Sequence, residues 1–526
     1  MKRRNFLAGL GAGVALSRIA APAVAQNAKA KSLIYVPPAG LLILDPHFTT
    51  INQTVYYGHY VYDQLYSVDS RFRPVPQMAE GHTVSWDKLV WTIKLRPGLK
   101  FHDGERVRAQ DCIASIKRWG KRDSFGITLL SYVDEMAAAD DDSIRFRLKK
   151  PFGILPDALA HPVASPCVIM PERVASADIT QHVTETIGSG PLKFVRNEFV
   201  PGQRAVFARN ADYVPRQEMP DAMSGGKVVH FDRIEWRALP DHATAAAALQ
   251  AGEVDWWDGV YYDLLPLLKG DPRVTVTPSD SGFRNWIRFN NGTAPFNNAA
   301  LRRAVAAAVD QTVFTQALTG EEKPATCFAM YNCGMPGVEE LGKSLMGGPK
   351  DFAALAAKVK EAGYKGEKVV VISATDIPTT APMAPIVVDM LKKLGMNVEL
   401  QTMDLNTQVT RRASQAPVDQ GGWSVFTFLT SSPVMANPVG AVVARGLGAK
   451  GYPGNNDDPI LEAAITEWIE ADGAERQAKF LKIQQRLWDT TPIVPIAAYQ
   501  QYTAFRSDLT GYLQNTVAVP WNIRRA

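Results

Sequence analysis

A strand, a helix and a second strand follow one another between residues 369 and 402, and this succession constrains the fold more than any other feature. Residues 369–373 form a short apolar run typical of a buried strand, and a helical pattern continues to Leu394. Gly395 ends the helix, and residues 396–402 predict the second strand. Two strands joined through a helix pair in parallel with a right-handed crossover. The stretch therefore predicts an α/β fold.

Strand and helix patterns continue to alternate along the rest of the chain. Residues 89–96 and 144–148 alternate apolar with polar side chains, which predicts half-buried strands. Asp241 is placed to cap one helix, and Asn297 or Asn298 to cap another. Further helical patterns cover residues 242–251, about 457–470 and about 474–489. With 526 residues, the chain is long enough for two large lobes or for three or four domains.

The first 25 residues carry the features of an export signal. They contain four basic residues and no acidic ones, then an apolar stretch and a small-residue cleavage site ending at Ala25, so the mature chain would begin at Gln26. Arg3 and Arg4, with Phe-Leu soon after, resemble the twin-arginine motif; an ordinary secretory signal is the alternative. Without those four, the 57 basic residues fall to 53, equal to the 53 acidic residues, which disfavours nucleic-acid binding through bulk charge.

Two of the four cysteines lie close together in a loop-like stretch. Cys327 and Cys333 have Gly and Pro residues beside them, and export permits disulfides, so we expect them to close a small ring. Two separate thiols are the alternative. Cys112 falls in a helical pattern and Cys167 near prolines, and both are expected to be packed thiols. The spacing does not match a zinc knuckle, and the sequence indicates neither a metal site nor a cofactor.

The sequence contains no recognisable catalytic motif. It lacks a P-loop, an HExxH pair and a GxSxG elbow, and its eight histidines are scattered singly. A hydrolase would need a nucleophile with a base in reach, and no pattern indicates one. Trp256, Trp257 and Trp423 do not fit an obvious core period. Because adjacent strand residues face opposite ways, one of Trp256 and Trp257 is expected to face a ligand cleft, with core packing as the alternative.

Five blocks of sequence occur in a fixed order along the mature chain. The clearest is LVWTIKLRPGLKFHDG at residues 89–104. The others are LDP and VYDQLY within 44–66, GSGP and RNADY within 188–213, ALQAGEVD at 248–255, and RFN, PF and LRRA within 288–304. In this order the blocks resemble the extracellular solute-binding proteins of family 5, which serve peptide and nickel ABC importers.

The resemblance implies a two-lobed periplasmic binding protein of the type II-like α/β class, with an inserted domain and a ligand cleft between lobes that close by a hinge. Such a monomer would capture a small-molecule solute without catalysis and deliver it to an ABC permease with its ATPase, in the periplasm of a Gram-negative-type cell. Its contact with the membrane would run only through the permease. By analogy, the first lobe comprises residues 31–66, 187–282 and 498–526, the inserted domain 67–186, and the second lobe 283–497.

Two departures from the family bear on the ligand. In peptide-binding relatives, an Asp three residues after a cleft Trp pairs with the peptide ammonium group, whereas here Phe426 follows Trp423 at that spacing. Where dipeptide-binding relatives carry an Arg for the ligand carboxylate, the matching loop offers Asp376. Losing one buried partner of an ion pair costs about 2–5 kcal/mol, so a simple zwitterionic dipeptide would be a poor ligand.

We therefore expect a neutral or cationic organic solute, held against aromatic faces, with one acid for any positive charge. The residues expected to hold it are Trp423, Phe426, one of Trp256 and Trp257, and Asp376. A helix cap is the alternative role for Asp376. Two other functions stay open from the sequence, an exported hydrolase and a ligand-binding module for a membrane sensor, and relatives can also bind nickel as a chelate.

Overall fold

The structure, a computed structural model, describes residues 31–279 and 282–526, and its strands form three main β-sheets. The predicted signal segment, with its cleavage site between Ala25 and Gln26, lies outside the described residues. Helices and strands alternate through the described chain, as the predicted α/β class requires.

A seven-stranded mixed sheet forms the centre of what we call the first lobe. Ser32–Val36 lies in the middle and pairs in parallel with Arg233–Arg237 on one side and Trp256–Val260 on the other. The outer pairs are antiparallel. In spatial order the strands are Val274–Pro278, Tyr502–Arg506, Trp256–Val260, Ser32–Val36, Arg233–Arg237, Arg204–Arg209 and Leu192–Phe194.

A five-stranded sheet forms the centre of the second lobe and contains the predicted strand-helix-strand unit. Lys368–Ala374 and Asn397–Met403 pair in parallel, and helix Met383–Lys393 joins them, so this prediction is confirmed. Gly395 follows the helix with a φ of 77°, a conformation that other L-residues rarely adopt. In spatial order the strands are Asn397–Met403, Lys368–Ala374, Val425–Ser431, Phe283–Phe289 and Ile493–Tyr499.

A four-stranded antiparallel sheet is formed by residues 79–148. Along the sequence, these residues come between the first-lobe strands Ser32–Val36 and Leu192–Phe194. Val90–Leu95 and Ser143–Leu148, both predicted as strands, pair at its centre. Ala79–Val84 and Val133–Asp140 form its edges. The smaller two-stranded sheets pair Tyr66–Val68 with Pro74–Pro76 and Leu509–Thr510 with Arg524–Arg525.

Helices cover the sheets, and two of them begin at caps that the sequence predicted. Asp241 accepts a hydrogen bond from the amide of Thr244 at 2.7 Å, and Asn298 accepts one from the amide of Ala300 at 2.9 Å. Such caps satisfy amides that the first helical turn leaves unpaired. None of the helices in the described part of the chain is long and apolar enough to cross a lipid bilayer.

The α-helices are Asn52–Val61, Ala109–Trp119, Ser124–Tyr132, Leu155–Ala160, Glu172–Ala175, His242–Ala251, Leu265–Lys269, Ala299–Ala307, Gln311–Thr319, Lys343–Met346, Phe352–Glu361, Met383–Lys393, Leu405–Arg412, Pro459–Glu470 and Gly473–Thr490. Short 3₁₀ helices are Arg196–Glu198, Tyr262–Leu264, Val418–Gln420, Ser432–Met435, Val442–Ala444 and Gly448–Lys450.

The chain crosses between the two lobes twice, through two short connectors. One leads from Val274–Pro278 to Phe283–Phe289, and the other leads from Ile493–Tyr499 back to Tyr502–Arg506. The two strands in each lobe that meet the connectors pair with each other, so the ends of the two connectors lie next to each other in both lobes. The residue boundaries of the lobes and of the inserted domain stay a prediction.

Arg118 and Asp45 form an ion pair that is almost completely buried. Nη2 of Arg118 donates to Oδ2 of Asp45 at 2.7 Å and to the main-chain oxygen of Gln181 at 3.1 Å. The carboxylate of Asp45 also accepts hydrogen bonds from the amides of His47 and Val183. Both oxygens of the buried carboxylate therefore accept hydrogen bonds. A buried ion pair is tolerated when such hydrogen bonds replace those lost to water.

Candidate functional site: a cavity between the two lobes

A cavity of about 290 Å³ lies between the two lobes, beside the connectors. The first lobe contributes residues 259–263, at and just after the carboxyl end of a central strand, and Tyr56 from a helix. The second lobe contributes Phe283, Leu429 and Tyr499 from three strands of its sheet. Clefts between lobes are common positions for small-ligand sites, so this cavity is the candidate site.

Five aromatic side chains from both lobes line the cavity, namely Tyr56, Tyr261, Tyr262, Phe283 and Tyr499. Phe283 and Tyr499 lie on paired strands and stack, with ring centroids 6.0 Å apart and planes inclined by 21°. The hydroxyl of Tyr262 donates to the main-chain oxygen of the residue after Tyr499 at 2.6 Å, which links its ring to the second connector. Fixed aromatic faces bind apolar groups at little cost in side-chain entropy.

The cavity wall carries very little charge. Asp263 is the one charged side chain among the described residues that line it, and it is exposed. Within residues 31–279 and 282–526, no Lys, Arg or His lines this cavity. Polar contacts are available from Asn52, Thr379 and the amides of Gln500 and Gln501. A wall of this composition suits a neutral or cationic guest, because it offers no cation to an anion.

A buried carboxylate lies behind this wall. Asp258 directly precedes the wall residue Gly259, is 4% exposed, and accepts a hydrogen bond from the hydroxyl of Tyr35 at 3.4 Å. No described Lys or Arg forms an ion pair with it. Burial raises the pKa of Asp258 to about 6, and hydrogen bonds from Gly259, Tyr35 and Tyr56 offset only part of that effect.

We expect the Asp258→Asn variant to gain stability relative to the wild type as the pH rises. The folded protein keeps a proton on Asp258 at a pH where the unfolded chain has already released it. This contribution is complete below the ordinary value of 3.8 and is lost as the pH rises through about 6. The free energy of unfolding of the variant minus that of the wild type should therefore increase by about 2–3 kcal/mol between about pH 4 and pH 8.

Urea denaturation at both pH values measures this difference. Asp263→Asn, which changes an exposed carboxylate of the same cavity, is the control. A difference between Asp258→Asn and the wild type that stays constant with pH would contradict a desolvated carboxyl group at this position.

A second cavity of about 200 Å³ adjoins the first. The two cavities share four wall residues, three of which are the aromatic side chains Tyr262, Phe283 and Tyr499. On its other side the second cavity is lined by Cys327 and Cys333, which form the disulfide expected from the sequence, with Cα atoms 6.0 Å apart. The disulfide loop of the second lobe is therefore part of the wall of this second cavity.

Comparison with known proteins decides the family. A model of the bacterial extracellular solute-binding proteins, family 5 middle, matches residues 73–440. The chain belongs to this solute-binding protein family. Membership of this family confirms the predicted role as a solute-binding protein, because the family consists of bacterial extracellular solute-binding proteins.

Individual relatives match over nearly the whole chain. A probable peptide ABC transporter periplasmic-binding protein of Sinorhizobium fredii, y4tO, is 36% identical over 532 residues, covering 100% of this chain and 99% of its own. The glutathione-binding protein GsiB of Pectobacterium atrosepticum is 24% identical, covering 96% and 95%. The solved structure of the ABC transporter substrate binding protein CtaP of Listeria monocytogenes has a TM-score of 0.76 at 20% identity, covering 94% of this chain and 99% of that chain. This likeness confirms the two-lobed fold.

In this family 5 protein, the adjacent indoles of Trp256 and Trp257 lie in the two apolar layers on opposite faces of the first sheet. Each is about 1% exposed, and neither lines the cavity. The Nε1 of Trp256 donates to Oγ1 of Thr503 at 2.6 Å. Trp257 packs with the helix His242–Ala251. The strand thus alternates as expected, but both of its faces are covered, so contact of either indole with a ligand stays a prediction.

Trp423 and Phe426 lie together inside the second lobe. Their ring centroids are 5.0 Å apart, and Trp423 is 1% exposed. The Nε1 of Trp423 donates to the main-chain oxygen of Arg412 at 3.1 Å, which turns the indole toward the helix Leu405–Arg412. Neither ring lines the cavity between the lobes, so their predicted contact with the solute stays a prediction.

Asp376 is exposed in the loop that leads to the cavity residues Pro378 and Thr379, but is not itself part of the wall. Its Oδ1 accepts a hydrogen bond from the amide of Leu405 at 2.9 Å, at the start of another helix. This contact corresponds to the alternative role in helix capping, although at a different helix from the one considered. A charge role for Asp376 toward the ligand stays a prediction.

Two cysteines remain outside the disulfide, and the possible metal ligands are the His, Cys, Asp and Glu side chains within residues 31–279 and 282–526. Cys112 and Cys167 are free and buried, as expected for packed thiols. In the part of the chain that the structure describes, no three His, Cys, Asp or Glu side chains are grouped so that they could hold a metal ion.

Sequence reasoning missed the residues that line the cavity, above all Tyr262, Phe283 and Tyr499. A usable signal was present, because Phe283 and Tyr499 lie beside the predicted lobe boundaries at 282–283 and 497–498. Residues beside the connectors of a two-lobed protein necessarily lie near the cleft. Tyr262 follows the carboxyl end of a strand that pairs in parallel, another position where α/β sheets commonly place ligand sites.

Proposed function

We propose that this protein is the periplasmic substrate-binding subunit of an ABC importer, and that it holds a small, neutral or cationic organic solute in the cavity between its lobes. The observation that carries the proposal is the aromatic wall built by both lobes around a cavity of about 290 Å³. A guest that touches Tyr262 on one side and Phe283 and Tyr499 on the other stabilises the arrangement in which the lobes are close. Binding and closure are then the same event.

The charge of the wall and the names of the relatives support a peptide-like solute. The exposed Asp263 is the one charged side chain among the described wall residues, and Asp258 adds a buried carboxylate behind it. The relatives include a probable peptide-binding protein and a glutathione-binding protein. A peptide or similar compound with an amino group and an apolar part matches a cavity with aromatic faces and carboxylates but no cation.

The same proposal includes the route and the partners. Export would follow the twin-arginine pathway, with cleavage between Ala25 and Gln26, into the periplasm of a Gram-negative-type cell. The mature monomer would release its solute unaltered to a permease driven by an ATPase. No part of this scheme requires a nucleophile, and the cavity wall has none of the Ser–His or Cys–His combinations that nucleophilic catalysis uses, as far as the described residues show.

Native mass spectrometry of the mature protein, purified without added ligand, tests the proposal. We expect a fraction of molecules to carry one small compound, which denaturation releases with its mass unchanged. Incubating the protein with more of that compound should give saturable one-to-one binding without product. Accumulation of a product over time would instead support an exported hydrolase. If deleting the gene for this protein abolishes a signalling response to the compound but leaves uptake of the compound intact, the protein would instead be a binding module for a membrane sensor.

A further inference from the structure

We propose that the second cavity, beside the disulfide loop, is a subsite for the hydrogen-bond-accepting end of the solute, a carboxylate or an amide carbonyl, and that the carboxamide of Asn332 is the donor. The inference rests on the proposed function and adds a chemical requirement to it. The solute must place an apolar part in the first cavity and an sp² oxygen in the second.

The two cavities are arranged so that one elongated molecule can occupy both. Tyr262, Phe283, Tyr499 and Gln500 line both of them, so three aromatic side chains belong to the walls of both cavities. Neither volume alone, about 290 and about 200 Å³, reaches the range of about 300–1,000 Å³ that is typical of sites for drug-sized ligands. Together they fit a peptide-sized guest.

Asn332 carries a carboxamide that bonds to none of the described residues. It is 7% exposed, lines the second cavity and lies between the two disulfide cysteines. Its main-chain amide donates to the main-chain oxygen of Met435 at 3.2 Å, but its side chain makes no hydrogen bond to any described residue. A carboxamide that lines a cavity and has no protein partner is available to donate to a molecule inside that cavity.

Arg284 gives the same cavity a positive charge. It lines the cavity, is 2% exposed, and donates from its Nη atoms to the main-chain oxygens of Cys327, Ala329 and Tyr331 at 2.7–2.9 Å. No described carboxylate forms an ion pair with it. Its direct hydrogen-bond partners are neutral carbonyl groups, so an acceptor atom of the solute would experience an attractive field.

Two acids near this cavity offset that field only in part. Glu321 lines the cavity but is exposed, so solvent screens its charge. Glu340 acts electrostatically on Arg284, but it is exposed as well and is screened in the same way. The second cavity thus has both a free hydrogen-bond donor, Asn332, and a buried cation, Arg284, and neither residue lines the first cavity.

The loop that carries Asn332 is held in place from several sides. The disulfide closes it, and three hydrogen bonds from Arg284 fix its main chain. Gln311 adds two more, since its Nε2 donates to the oxygen of Cys327 at 2.8 Å and its Oε1 accepts the amide of Cys327 at 2.7 Å. A donor on a fixed loop binds without the entropic cost of ordering it.

Affinity-selection mass spectrometry with two peptide libraries tests the inference. One is an equimolar mixture of tripeptides with free C-terminal carboxylates, and the other is the same mixture with C-terminal amides. Asn332→Ala should lower the affinity for retained members of both libraries roughly tenfold. The nearly isosteric Asn332→Asp should lower retention of the free-acid library at least about tenfold more than that of the amidated library, because only the amide end can donate to the new carboxylate.

Asn515→Asp is the matched control, since Asn515 is 6% exposed and lines a separate cavity of about 270 Å³. This variant should change retention of neither library, and melting temperatures establish that each variant is folded. Equal effects of Asn332→Asp on both libraries, or none, would overturn the subsite while leaving the proposed function intact. Retention of no tripeptide by the wild type would overturn the peptide-like solute and the subsite together, and the native mass spectrum would still decide the binding function.

Discussion

The double variant Phe283→Ala Tyr499→Ala is expected to bind the solute released from the wild-type protein about 100-fold or more weakly, a loss of at least about 3 kcal/mol. Both rings stack on each other and face both cavities, so their removal takes away the second lobe's apolar contacts. The solute would then keep its aromatic contacts with the first lobe but lose those with the second lobe. Isothermal titration calorimetry with the released compound measures the loss.

Trp86→Ala is the control for this experiment, because Trp86 is 95% exposed and lies away from both cavities. It should leave the affinity unchanged. Circular dichroism should show that the double variant keeps the native secondary structure, since both side chains are only half-buried. Wild-type affinity in a folded double variant would show that the solute binds elsewhere.

Replacing Arg118 with Met is expected to lower the free energy of unfolding by about 3–5 kcal/mol. The substitution leaves Asp45 as a buried charge whose main countercharge is gone, although the amides of His47 and Val183 still donate to it. Urea denaturation monitored by fluorescence measures the change. The effect is large compared with the total stability of an ordinary domain.

Arg106→Met is the matched comparison, because Arg106 forms an ion pair with Asp142 in which both side chains are largely exposed. Exposed pairs of this kind contribute about 1 kcal/mol or less. Adding Asp45→Asn to Arg118→Met should recover part of the lost stability, since the unpaired charge is removed. Similar losses for Arg118→Met and Arg106→Met would contradict the expected difference between buried and exposed pairs.

The parts of the fold that depend on local sequence were predictable. The strand-helix-strand unit was recognised because a buried apolar run, a helical period and a terminating glycine occur within about forty residues, and each has a local physical cause. The caps at Asp241 and Asn298 follow from the same reasoning, since a side chain two or three positions away from an unpaired amide can reach it. The disulfide also depends on local sequence, since its two cysteines are only six positions apart.

The site was harder to predict because its wall is assembled from distant segments. Tyr56, residues 259–263, Phe283, Leu429 and Tyr499 meet only after both sheets have formed. Aromatic side chains serve cores and clefts equally well, and periodicity shows which face of a strand a ring occupies but not what covers that face. The tryptophans illustrate this, since Trp256 and Trp423 are both buried inside single lobes.

The two connectors, whose ends lie next to each other in both lobes, limit how the molecule can change shape. A body joined to another at one point can twist freely, whereas two adjacent attachments permit an opening and shutting motion and resist sliding or unscrewing. An empty and a filled protein would then differ along a single coordinate. A membrane complex that contacts both lobes at once could therefore distinguish the solute-bound protein from the empty one by the distance between the two contacted surfaces, without contacting the solute itself.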